Sequence, residues 1–320
     1  MSNPTRTIVA GVASMDDQDP RTPAGADPVL DPAIALAAAL GAELHVVHAF
    51  QVPAGVSWAA PADAGVWTYV AELEERLERQ AAAFPGGAAV HCHAVEGSAA
   101  EVLCRMVRER EAELLVVGAS RRGRHWSGVL GSTATQVLAA SPTPVLIVRR
   151  PQKGAPGRVL LTCDLSAGAG EALRRAVVAV RGVSGGAPLL RCLHVVEADP
   201  LLSLPLSAEA AEALARERLD ECLDQAGLDA GAVERHVRTG DAAREIAYEA
   251  TEWGADLVVV ATHAHPGEAH HPTGRVAMAT IRGAACNVLA IPASVLAPPG
   301  EPSATPRDGA RSVSAVAATA

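Results

Sequence analysis

Short runs of Val, Leu, Ile and Ala recur along the chain, separated by longer stretches in which apolar and charged residues follow a helical spacing. The first such runs are Thr7 to Val12, Leu44 to Phe50, Ala89 to Val95, the run from Leu114 that ends before Gly118, and the run after Pro144 that ends at Val148. Each is short, apolar and bounded by Gly, Pro or Asp, which predicts buried strands. Between them, Asp31-Pro32 opens a helix with Asp31 as N-cap, and the helix stops at Gly41. Val66 to Phe84 carries acidic and basic residues spaced for (i, i+4) pairing and predicts a surface helix. Ser98 is positioned to cap a third helix, and Gly131-Ser132-Thr133 opens a fourth. Strands alternating with helices imply a parallel, doubly wound sheet with right-handed crossovers.

The pattern then repeats. Arg158 to Thr162, Leu189 to Val196, Val233 to Arg238, Leu257 to Ala261 and Val288 to Ile291 are again short apolar runs. Ala169 to Val180, Ser207 to Ala226 and Ala242 to Trp253 lie between them as helices, the last capped by Gly240-Asp241. The copies register without a gap from Gly97/Gly240 through Gly131/Gly274 to Val145/Val288, and LHVV at Leu193 to Val196 echoes Leu44 to Val47. This divides the chain into a domain over 1–150, a linker over 151–157 and a domain over 158–293. Residues 294–320, rich in Pro, Ala, Ser and Gly, bury too little apolar surface to offset their ordering entropy and are expected to be disordered.

Composition narrows the class. Hydrophobic residues make up 49% of the 320 positions but aromatics only 2%, so the cores must be built from Val, Leu, Ile and Ala, as in parallel sheets covered by helices. A net charge of −9 argues against nonspecific nucleic-acid binding. Six cysteines without a CxxC pair, most inside apolar runs, read as buried small hydrophobes in a reducing compartment. There is no signal-peptide pattern and no run of the roughly 18 apolar residues of a membrane span. A cytoplasmic protein with no membrane partner is expected.

Candidate chemistry concentrates in Leu114 to Val148. In open parallel sheets, ligands bind beyond the carboxyl ends of the strands, where strand order reverses. Gly118 lets a ligand approach the backbone. The helix opening at Gly131, Ser132 and Thr133 offers unpaired N–H groups, the positive end of its dipole and two hydroxyls, a set suited to phosphate. Arg121, Arg122 and Arg124 lie between and can neutralise a polyphosphate.

A strand followed by G-x2-G-x9-G-[ST] and then PVLIV resembles the universal stress protein family in its tandem form, as do VLLTCDLS at Val159 to Ser166, LGAELHVVHA around the second strand and GDAAREI at Gly240 to Ile246. The resemblance covers nearly all of residues 5 to 293. It implies two tandem Rossmann-like, five-stranded parallel sheets of the adenine nucleotide alpha hydrolase-like kind, with strand order 3-2-1-4-5. It also implies an adenine-nucleotide-binding stress-response protein, with pairing of the domains within the chain or between two chains. Gly118, Arg121, Gly131, Ser132 and Thr133 are then the cofactor-binding residues, and ATP the cofactor.

The repeats depart from that pattern differently. The first has Arg121 where the motif has its second glycine, and Ala13 where the family often has Asp; Asp16 and Asp17 are near but out of register. The second keeps Asp164, but Ala261, Ala264 and Arg275 replace three of the four motif residues. ATP is therefore expected in the first domain only. His263, His265, His270 and His271 cluster with Glu268 in the second loop without a rigid ligand spacing, and no metal is expected there. His45, His48, His91 and His93 lie on the second and third strands and become neighbours if those strands pair. No GxSxG, P-loop or GxGxxG pattern is present and the first loop carries no acid, so catalysis is not expected. A nucleotide hydrolase of the same superfamily and a module with both crevices empty, paired through its fifth strands, are the alternatives.

Overall fold

The computed structural model describes residues 6–13, 28–51, 63–82, 88–119, 129–150, 155–184, 186–197, 207–229, 231–262, 273–292 and Val295. In the first half, β1 (Thr7–Gly11), α1 (Leu30–Leu40), β2 (Glu43–Phe50), α2 (Asp63–Ala82), β3 (Val90–Glu96), α3 (Ala99–Glu109), β4 (Leu114–Gly118), α4 (Ser132–Ala140) and β5 (Val145–Val148) follow in order. The second half repeats them as β6 (Arg158–Thr162), α5 (Ala169–Ser184), β7 (Leu189–Val196), α6 (Ala208–Gln225), β8 (Val233–Thr239), α7 (Ala242–Glu252), β9 (Leu257–Thr262), α8 (Arg275–Gly283) and β10 (Asn287–Pro292). The expected tail, 294–320, lies outside the described residues except for Val295.

The described strands form one sheet in the order β3-β2-β1-β4-β5-β10-β9-β6-β7-β8. Each half has the expected 3-2-1-4-5 order, with parallel pairing throughout. The two sheets are thus fused into one by antiparallel pairing of β5 with β10: Val145 faces Ala290, Leu146 faces Leu289 and Ile147 faces Val288. Leu146 and Leu289 are equivalent in the two repeats, so a local pseudo-two-fold axis passes between them.

Strand alternation sends these residues to two cores. Ile8, Leu44, Val46, Val116, Leu146, Val159 and Leu289 point to one face, with buried residues of α1, α2, α5 and α6. Val9, Val47, Leu115, Val145, Ile147, Val258 and Val288 point to the other, with those of α3, α4, α7 and α8. Both cores run across the joint, because β5 and β10 are apolar on both faces. Burying one such aliphatic side chain contributes roughly 1.5–3 kcal/mol.

One polar side chain secures the exit from β5. Asn287 Oδ1 accepts from the N–H groups of Arg149 and Arg150 at 2.9 and 3.1 Å. The Arg149 guanidinium donates to Arg282 O at 2.9 Å and to Ala284 O, at the C-terminus of α8, where a cation is favoured. Burial lowers the Arg149 pKa to about 10.

Two expected caps differ. Asp31 sits inside α1, whose N-cap is Val29 without a side-chain bond, because the helix begins two residues earlier than the Asp-Pro signal. Ser98 is the N-cap of α3, but its hydroxyl makes no capping bond. Asp241 does cap α7, accepting from Arg244 N at 2.9 Å.

The end strands carry polar residues on the face covered by α3 and α7, and the two repeats solve this differently. On β2 and β3, His45 is in register with His91 and its Nδ1 lies 2.9 Å from His93 Nε2; the His45 ring stacks on both, with centroids 5.0 and 5.2 Å apart. His91 Nε2 lies 3.4 Å from Glu43 Oε1. At the equivalent places on β7, β8 and α7, Glu249, only 2% exposed, binds Arg191 at 2.6 Å, Arg238 at 2.7 Å and His236 at 3.2 Å. Burial pushes the Glu249 carboxyl up, but the bonds from Arg191 and Arg238 and the nearby His236 hold it below the usual range.

Two predictions follow from these contacts. Asn287→Ala leaves the Arg149 and Arg150 N–H groups without their acceptor and should lower unfolding free energy by about 1–3 kcal/mol; an unchanged urea midpoint would contradict it. Burial, then the charges of His93, Arg110 and His91, lower His45 from 6.5 to about 4, against the opposing pull of Glu43. Burial and Arg110 also lower His93, against Glu74. The unfolded chain takes up these protons first, so stability is intact above about pH 6.5 and is lost as pH falls toward 4, with His45 contributing up to about 3 kcal/mol. Denaturant unfolding at about pH 7.5 and about pH 5 should show this loss, and His45→Leu should flatten it; equal slopes for the two proteins would count against the assignment.

Candidate functional site

The carboxyl ends of β1 and β4 are adjacent, and this is where strand order reverses. A cleft of about 470 Å³ opens there. Gly11, Val12 and Ala13 form one wall as they leave β1, and Gly118 the other at the end of β4. Gly131, Ser132, Thr133 and Ala134 present the first turn of α4 to it. The structure therefore brings four of the five expected site residues to one cavity; Arg121, with Arg122, Gly123 and Arg124, lies outside the described residues.

The entrance to α4 is held by the backbone. Gly131 N–H donates to Ala119 O at 2.8 Å, which returns the chain to the end of β4 after the loop. Thr135 Oγ1 donates to Gly131 O at 3.0 Å, and among the described residues no side chain caps the helix. The first turn of α4 thus retains its N–H donors and dipole on the cavity side. Gly131 has φ −64°, a conformation open to any residue. What glycine contributes there is the missing side chain at the cavity wall. Its counterpart Gly274 has φ +75°, where glycine is required for the backbone itself.

Other walls were not marked by any motif. Pro28 and Val29 enter from the start of α1, Ala99 and Leu103 from α3, and Val47, His48 and Ala49 from β2. His48 is buried, with Nδ1 3.4 Å from Val12 O. His194 repeats this contact, with Nδ1 2.9 Å from Cys163 O. Burial lowers the His194 pKa against the pull of that carbonyl and of Asp164, so the ring is held toward its neutral form. Gly97 N–H bonds Phe50 O and Gly240 N–H bonds Val196 O, which makes His48 the counterpart of His194 and Leu44 that of Leu190. The LHVV echo is therefore out of register, a coincidence of composition in two apolar strands.

The second crevice is built differently. Arg275 begins α8 where Ser132 begins α4, and Val276 stands in place of Thr133. Arg275 Nη2 lies 3.5 Å from Glu197 Oε2, and Glu197 Oε1 accepts from Ala242 N at the start of α7 at 3.2 Å. The equivalent helix starts in the first half, Ala99 and Ser132, both line the cavity. An internal carboxylate thus bridges the two helix N-termini that stay open in the first half. Glu197 follows β7 in a position without any motif, so pattern reading could not single it out. Asp164 is engaged locally: its Oδ1 accepts from Ser166 N at 3.0 Å, and Leu165 between them is left-handed at φ +56°. Of this motif, Ala261 lies within β9, one residue before its end, whereas Ala264 and the cluster His263, His265, Glu268, His270 and His271 lie outside the described residues.

Among the described residues no group of three or more His, Cys, Asp or Glu is arranged to hold a metal ion, and no helix is long and apolar enough to cross a membrane. The six cysteines are unbridged thiols, five of them buried.

Comparison with known proteins agrees with this architecture. The model of the universal stress protein family matches residues 21–149 and again 156–292. The chain is 28% identical over 127 residues to a universal stress protein of Methanocaldococcus jannaschii, covering 38% of this chain and 73% of the relative. It is 33% identical over 119 residues to one of Thermus aquaticus, covering 35% of this chain and 82% of that protein. Among solved structures, a universal stress protein of Pseudomonas aeruginosa superposes with a TM-score of 0.61 at 17% identity, covering 90% of this chain and 94% of that one. One of Archaeoglobus fulgidus gives 0.58 at 15%, covering 89% and 96%. At these identities the superpositions speak to the fold.

Proposed function

The chain belongs to the universal stress protein family, its model matching both repeats, and from that premise we propose that it is an adenine-nucleotide-binding stress-response protein that takes ATP in its first crevice alone. The two repeats act as domains, 1–150 and 158–293, joined by the linker 151–157. The observation that carries the reading is the convergence of Gly118, Gly131, Ser132 and Thr133 on one cavity at the strand-order reversal, with the start of α4 uncapped by any described side chain. A cavity of this size is in the range of small-molecule and cofactor sites. The phosphates sit at the start of α4, with Arg121 contributing charge from the loop, and the nucleoside reaches toward Ala13, Val29 and His48. Ala13 offers no carboxylate to the ribose, so affinity is lower than a site with Asp there would reach.

The second domain does not take ATP. Glu197 and Arg275 neutralise each other where the phosphates would lie, and Arg275 adds bulk where Ser132 adds a donor. Binding rather than turnover is the activity. The described lining of the first cavity holds no Asp or Glu to activate a water or to position a metal ion, which catalysis of phosphoryl transfer requires.

Calorimetric titration tests this reading. Gly131→Glu leaves φ unstrained but places a carboxylate among the phosphates, and should weaken ATP binding by at least about tenfold at unchanged melting temperature. Ser132→Arg, which copies the second repeat, should weaken it too. Phosphate release with magnesium should stay at background. Unaltered affinity in both variants, or release that scales with protein concentration, would overturn the assignment.

A further inference from the structure

A second cavity, of about 500 Å³, lies between the two halves at the amino ends of β1 and β4. Its first wall is Ile8, Leu40, Leu114 and Pro144, and its second is α5, through Val178, Ala179 and Val183. Val178 is 61% exposed, an apolar side chain at the groove without a full cover. Charges at the rim are already paired: Arg6 with Glu113 at 2.9 Å, and Arg174 with Glu171 at 2.6 Å. The groove therefore suits an uncharged, apolar occupant better than an ion.

The pseudo-two-fold axis says what that occupant is. Glu113 N bonds Thr7 O and Asp256 N bonds Arg158 O, so Glu113 corresponds to Asp256 and Pro144 to Asn287. The place equivalent to the groove is thus the amino edge of the second half, and there the chain leaving β5 is held. Asn287 takes the N–H groups of Arg149 and Arg150, and Asp256 Oδ2 takes those of Gly157 and Arg158, each at 2.9 Å. The chain leaving β10 heads into the counterpart position. Val295 lines the groove, packs against the core and has its carbonyl bonded by Arg175 Nη1.

We propose that the segment following Val295, beginning Leu296-Ala297-Pro298-Pro299, docks in this groove between the halves as the counterpart of the linker. Leu296 supplies an apolar side chain for Val178 and Leu40. The two prolines favour an extended backbone that needs no internal hydrogen bonds and loses little entropy on docking. Neither proline has an N–H to bury, and at the place of Arg149 the chain leaving β10 has Pro292, which needs no acceptor where Pro144 stands in place of Asn287. The segment thereby ties α5 to β1 and β4 across the joint.

Val178→Cys, made in the full chain and in a chain ending at Val295, tests this through maleimide labelling located by mass spectrometry. Removal of residues 296–320 should speed labelling at position 178 by at least about tenfold, by opening the groove. A synthetic peptide of residues 296–320, added in excess, should slow it again. Cys163 and Cys192, both buried, should stay unlabelled in both forms and report an intact fold. Equal labelling rates in the two forms would overturn the proposal. So would a peptide without effect, or protection of the shortened chain that grows with its own concentration, which would make a second copy the occupant.

Discussion

The antiparallel pairing of β5 with β10 is the constraint on which the rest depends. A five-stranded sheet of order 3-2-1-4-5 leaves its fifth strand as an apolar edge with unpaired backbone groups, an aggregation hazard in water. Here each half covers the other's edge, and both cores continue through Leu146, Leu289 and their neighbours. The pairing also sets the geometry of function. Because the two parallel halves meet antiparallel, the carboxyl ends of their strands face opposite ends of the sheet. The two crevices therefore cannot share a ligand, and each must be judged on its own residues.

Judged so, they differ in how the same backbone places are filled. In the first half the starts of α3 and α4 border a cavity, with small residues at Ala13, Gly118 and Gly131. In the second half Glu197 spans the starts of α7 and α8 and meets Arg275. An exposed pair of this kind contributes little to stability, and under the proposed function its consequence is the occupation of an anion's place. The same divergence appears on the end strands, where a histidine stack in one half answers a buried Glu249–Arg191–Arg238 network in the other. One backbone plan thus carries a histidine edge on one side and a carboxylate–guanidinium edge on the other.

Much of this was legible in the sequence because strand and helix periods are local. Runs such as LLVVG and RVLLT, bounded by Gly, Pro and Asp, located the strands, and the gapless register from Gly97/Gly240 to Val145/Val288 announced the repeat. Strand order came from the resemblance to a known family, since nothing in the spacing of apolar runs encodes which strands pair. Local pattern also misled. The LHVV echo aligned His45 with His194, whereas backbone pairing aligns His48, because apolar strands tolerate such coincidences. Asp31 looked like a cap, but α1 starts before it. Contacts that join residues far apart in the chain, such as Glu197 with Arg275 or Asn287 with Arg149, had no signature at all.

The central claim is an unequal pair of sites on one continuous sheet, one open to a nucleotide and one closed by its own side chains. Equilibrium dialysis of the full chain against ATP measures this most directly. The account predicts saturation at about one nucleotide per chain. Saturation at about two, or no retention at millimolar nucleotide, would contradict it.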